Sequence, residues 1–159
     1  MRAVALDLDG VLGDTRPLWN EWLADASRRF RAIAPLDPAA LPEDRVAAAE
    51  MLDGWASAGV GDWRAALARF AEDRAPVYLR PDADVSSAIR TLQAAGHRLG
   101  VFTDAPRTLA QIAVAQLGAT RRIEALEAGA DALERLREHL GEDMLVVRER
   151  SALSLQFAR

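Results

Sequence analysis

From Ala3 to Leu8 the chain is apolar at every position except Asp7, and the run stops at Gly10. A short apolar run ended by glycine reads as a strand buried on both faces. Leu99 to Phe102 repeats that signature and ends on Thr103, and shorter strand signals cover Arg122 to Leu126 and Met144 to Val147. Between them the apolar period lengthens to that of a helix. Val85, Ala88, Ile89 and Leu92 precede Gly96, a segment from about Arg107 to Leu117 precedes Gly118, and one from about Ala130 to Leu140 precedes Gly141. Glycine just past the last periodic residue is the usual helix stop. Strands near residues 2–8, 98–103, 122–126 and 144–147, alternating with helices, predict an α/β fold with a Rossmann-like parallel sheet.

The stretch between the first two strands has a different pattern. Leu18, Trp19, Trp22, Leu23, Ala26, Phe30 and Ile33 recur at helical spacing, with Glu21, Asp25, Arg28 and Arg29 on the other face. Thr15 is placed as the N-cap of this helix and Pro17 in its first turn. Pro35 and Pro38 break it. A second helix from about Pro42 to Trp55 turns Val46, Ala49 and Met51 or Leu52 inward, and Gly54, Gly59 and Gly61 mark a turn. A third runs from about Asp62 to Arg74 and buries Trp63, Ala66, Leu67 and Phe70, after which Pro76 to Pro81 returns the chain to the sheet. All four tryptophans fall between Trp19 and Trp63, and most are expected in the core of this helical insertion.

A length of 159 residues predicts one domain with a small insertion, and half the residues are hydrophobic, enough for an ordinary core. The absence of cysteine excludes disulfides, zinc-thiolate sites and cysteine nucleophiles. No apolar run approaches membrane-spanning length and no targeting peptide precedes the first strand, so a soluble cytoplasmic protein is expected. A net charge of −4 without a basic block argues against nucleic acid or an anionic membrane as partner. All 20 basic residues are arginine. Together with the abundant alanine this suggests a high-GC bacterial gene, and any site that needs a cationic side chain must use arginine.

Residues two apart on a strand point the same way, so Asp7 and Asp9 present two carboxylates at the strand's C-terminal end, where open α/β sheets bind their ligands. Gly10 lets the backbone turn sharply and approach a ligand. Carboxylates this close repel one another and call for a positive partner, for which an oxygen-ligated Mg²⁺ is the natural candidate. Thr103 ends the second strand just before a helix, and its hydroxyl beside free backbone N–H groups makes a phosphate cradle. Capping of that helix is the other reading of Thr103.

Asp7-Leu8-Asp9-Gly10-Val11-Leu12-Gly13-Asp14 resembles the first motif of the haloacid dehalogenase (HAD) superfamily, especially its phosphoglycolate-phosphatase-like members. The strand ending in Thr103 resembles the second motif, with Asp104 where many relatives carry Asn. The resemblance implies a HAD-like core over 1–14 and 76–159 and a small α-helical cap over 15–75. It implies that Asp7 is the nucleophile that forms an aspartyl-phosphate, a role open to a carboxylate. Asp9 becomes the general acid/base. Thr103, with the backbone near Asp104, holds the phosphoryl group, and Mg²⁺ is bound by Asp7, Asp9 and Glu149. The second aspartate sets the pattern apart from dehalogenation of haloacids. The lysine of active relatives is absent; its place falls near Glu127, and Arg107, Arg121, Arg122 or Arg148 could substitute for it. In the fourth motif Glu149 takes the first acid's place between two arginines, and Leu153 takes the second's. The expected function is a Mg²⁺-dependent phosphatase of a small phosphomonoester. The alternative is a catalytically impaired relative that serves as a binding or regulatory module.

Overall fold

In a computed structural model, which describes residues 2–33 and 37–157, four parallel strands form one sheet in the order β3-β2-β1-β4. They are β1 (Ala3–Asp7), β2 (Arg98–Thr103), β3 (Ala125–Ala128) and β4 (Leu145–Val147). Pairing runs Leu6 to Val101 and Asp7 to Phe102 on one side of β1, and Leu6 to Val147 on the other. The chain therefore crosses to opposite sides of β1, which makes its C-terminal end the switch point of the sheet and the place where a crevice opens.

Alternation along the strands divides the apolar residues between two layers. Val4, Leu6, Leu99, Val101 and Val147 join a large cluster with the helices of one face. Ala5 and Phe102 join Ala132, Leu136 and Leu140 of α6 (Ala132–Leu140) on the other. Gly100 lies under that helix: a Cβ there would stand 2.7 Å from the Cδ1 atoms of both Leu136 and Leu140. The missing side chain is what lets α6 settle onto β2.

Between β1 and β2 lie α1 (Arg16–Ile33), α2 (Arg45–Trp55), α3 (Trp63–Tyr78) and α4 (Ala83–Ala94). Trp19, Trp22 and Trp63 are buried, with ring centroids 5.4–6.3 Å apart, and Trp22 and Trp55 each meet Phe30 edge-on. The same apolar cluster continues from these rings through Leu67 and Ala71 to the sheet, and α3 packs on α5 (Arg107–Gln116). The last helix is α7 (Arg150–Phe157).

Three boundaries differ from the sequence reading. Asp44 caps α2 by accepting from Ala47 N at 3.1 Å, so the helix starts after Pro42 rather than at it. Helix α3 runs through Pro76 to Tyr78, because Ala71, Ala75 and Leu79, four apart, are all buried and outweigh the lost N–H. Strand β3 starts at Ala125 rather than Arg122. Arg122 N is taken into a turn on Ala119 O, and all four residues of this edge strand are half-buried, which removes the alternation that would mark it. The break expected at Pro35 lies outside the described residues. Among the described residues no helix is long and apolar enough to cross a membrane.

Candidate active site

Strand β1 ends in a tight loop held by backbone hydrogen bonds. Leu8 N donates to Phe102 O, Gly13 N to Leu8 O and Gly10 N to Gly13 O, at 2.9–3.0 Å. Gly10 has φ +124°, and a Cβ on it would lie 2.5 Å from Arg148 O. Only glycine allows the loop and the start of the segment after β4 to touch. The loop turns Asp7 and Asp9 toward one cavity of about 450 Å³, together with Thr103, Asp104, Arg45 and Arg148. The N-terminal turn of α6, from Asp131 to Glu134, completes the lining.

Asp9 is fully engaged. Its Oδ1 accepts from Thr15 N and Thr15 Oγ1, both at 2.7 Å, and its Oδ2 accepts from Thr103 Oγ1 at 3.1 Å and from Arg45 Nη2. Thr15 does stand at the start of α1, where its carbonyl accepts from Trp19 N, but its hydroxyl holds Asp9 instead of capping the helix. Thr103 is buried, and its hydroxyl also accepts from Ala105 N at 3.2 Å. Arg45 is 3 % exposed; it bonds Thr15 Oγ1 at 2.6 Å and Asp104 Oδ1 at 2.6 Å and 3.2 Å. A buried guanidinium is tolerable only when its donors are taken up by carboxylates in this way.

Asp7 is freer. Its Oδ1 accepts from Asp9 N at 3.2 Å, and Arg148 Nη1 lies 3.6 Å from its Oδ2. Burial and then the neighbouring Asp9 charge push its carboxyl up to about 6, with Arg148 opposing. Arg148 sits over the Phe102 ring, 5.3 Å from its centroid, and remains largely exposed.

The expected site residues thus separate. Asp7, Asp9, Thr103 and Asp104 line one cavity. Gly10 shapes the loop from its far side and lines a different depression. Arg107 turns away to donate to Leu126 O at 3.2 Å, and Arg122 goes to Gln93. Of the four arginines considered as replacements for the lysine, Arg148 is the one lining the cavity. Glu127, near the lysine's place, lies in β3 and pairs with Arg135 of α6. Glu149 is exposed and is not part of the lining, because Arg148 takes the position beside Asp7. The residue missed in the sequence is Arg45. Its one signal was position: it shares the inward face of α2 with Ala48 and Leu52, three and seven residues on.

The residues gathered here do not fit the magnesium ion implied by the resemblance. Four donors already fill the carboxylate of Asp9, the Arg148 guanidinium stands 3.6 Å from the carboxylate of Asp7, and Glu149, the third ligand implied, lies outside the cavity.

Two carboxylates leaving the end of β1 in a parallel α/β sheet are the arrangement that the resemblance of the first motif implies. The chain belongs to the haloacid dehalogenase-like hydrolase family, whose model matches residues 1–150. Among solved structures it is similar to a putative beta-phosphoglucomutase from Thermotoga maritima, with a TM-score of 0.54 and 18% identity over 92% of this chain and 75% of that one. It is also similar to the L-2-haloacid dehalogenase of Xanthobacter autotrophicus with chloropropionic acid covalently bound, at a TM-score of 0.49 and 17% identity over 99% and 74%. The first likeness supports the fold. No curated protein matches the chain.

Proposed function

We propose that the chain hydrolyses a small phosphomonoester through an aspartyl-phosphate on Asp7. The carrying observation is that Asp7, Asp9 and Thr103, from the ends of two adjacent strands, line a single cavity of about 450 Å³, a volume suited to a small substrate. Asp7 Oδ2 attacks phosphorus, and the bond to the leaving oxygen breaks as that oxygen takes a proton from Asp9; water then attacks the phosphorus, the Asp7–phosphorus bond breaks to release phosphate, and Asp9 recovers the proton. In the arrangement described, Asp9 is an acceptor on every side. To give a proton to the leaving oxygen it must first be released by Arg45 and protonated. Residues 15–75 act in this reading as a cap, from which Thr15 reaches Asp9, and Arg45 of α2 reaches both Asp9 and Asp104. No step uses a metal.

The full engagement of Asp9 favours a second reading, in which the fold persists as a binding or regulatory module. Hydrolysis of an aryl phosphate by the wild-type chain and by Asp7→Asn separates the two. Turnover that falls to background in Asp7→Asn supports the enzyme. A wild-type chain inert across a broad phosphomonoester panel, with and without Mg²⁺, sinks it and leaves the module.

A further inference from the structure

We infer that arginine supplies the positive charge at this site that a divalent cation would otherwise bring: Arg45 positions Asp9, and Arg148 receives the anionic end of the substrate. The inference rests on the phosphomonoester reading for the identity of that anion. Its support lies in which groups hold each carboxylate.

Asp9 has about four lone-pair sites, and Thr15 N, Thr15 Oγ1, Thr103 Oγ1 and Arg45 Nη2 point at them. For an ion to take the place of Arg45 at the Asp9 carboxylate, the guanidinium must be displaced. That would strand a buried guanidinium, 3 % exposed, beside a second cation in a poorly screened place. Arg45 is locked further by Asp104, from the loop after β2, so the charge of α2 is tied to both neighbouring strand ends.

Arg148 differs in every respect that matters for binding. Its backbone is fixed, because its carbonyl lies against Gly10 where no side chain fits. Its guanidinium is largely exposed, rests on the face of Phe102, and stops 3.6 Å short of Asp7. It is near enough to offset the charge of Asp7 and loosely enough held to turn toward an arriving oxyanion. A planar fork of N–H donors suits the paired oxygens of a phosphoryl group. The segment after β4 thus brings a cation beside Asp7, while its acid, Glu149, is exposed and outside the cavity.

Calorimetric titration of the whole protein tests this without reference to turnover. Inorganic phosphate is expected to bind the wild-type chain in excess EDTA, and about tenfold or more weakly to Arg148→Ala, with Arg148→Lys in between. Millimolar Mg²⁺ is expected to give no binding heat and no rise in melting temperature in the wild-type chain. Saturable Mg²⁺ binding to the wild-type chain, or phosphate affinity in EDTA unchanged by Arg148→Ala, overturns the inference. Because Arg148 is exposed, circular dichroism of its variants is expected to match wild type. Failure of the phosphatase reading registers separately, as absent turnover in a chain that still binds phosphate.

Discussion

Asp7 carries the sharpest chemical expectation at the scale of single residues. Its carboxyl is raised from its ordinary 3.8 to about 6 by burial first and the Asp9 charge second. A nucleophile must be ionised, so kcat/KM is expected to fall about tenfold per unit below pH 6. The sign for stability is the reverse of a salt-bridged carboxylate. A raised folded-state value means that ionised Asp7 weakens the fold above pH 6 and that this penalty fades as the group protonates. Asp7→Asn should therefore melt several degrees higher than wild type at pH 8, a gain that disappears near pH 4; an equal gain at both would show that burial of this charge is not the cause. Asp7, Asp9 and Thr103 were legible in the sequence because strand period and strand end alone place them. Arg45 was not. It meets residues 36 and 59 positions away, and no local pattern carries such a distance. Arg107 and Arg148 were equivalent as sequence. A carbonyl on β3 takes one, and the ring of Phe102 seats the other.

Among the elements, the contact of β2 with α6 decides the shape of the cavity. Gly100 admits Leu136 and Leu140 to the sheet, and the first turn of the same helix forms a wall of the site. Gly100→Ala places a methyl where two Cδ atoms already stand and is expected to cost about 1–3 kcal/mol in urea unfolding. It should also lower kcat/KM, since α6 has to lift. A variant as stable and active as wild type would mean that the two leucines re-rotate freely. Most element types were readable from period and punctuation. Boundaries moved where burial competed with local signals: at Pro76, where three buried residues carry the helix on, and at β3, whose half-buried residues lack alternation.

For the molecule as a whole, one apolar cluster joins the tryptophans of the helical insertion to the face of the sheet, through Leu67, Ala71 and the α3–α5 contact. Unfolding is therefore expected as a single calorimetric transition. Trp22→Ala, which empties a fully buried site, should lower stability by about 3–5 kcal/mol without splitting that transition. Two resolved transitions would mean that insertion and sheet melt independently.

The sequence by itself determined the α/β class, the order of the elements, and the pair of aspartates leaving the first strand, since all three follow from local periodicity and from glycine stops. Only the tertiary structure decided what charge those aspartates face. Whether an acid, a metal or an arginine stands opposite depends on groups brought together from α2, the β2 loop and the segment after β4, and long-range packing sets their approach where residue spacing does not.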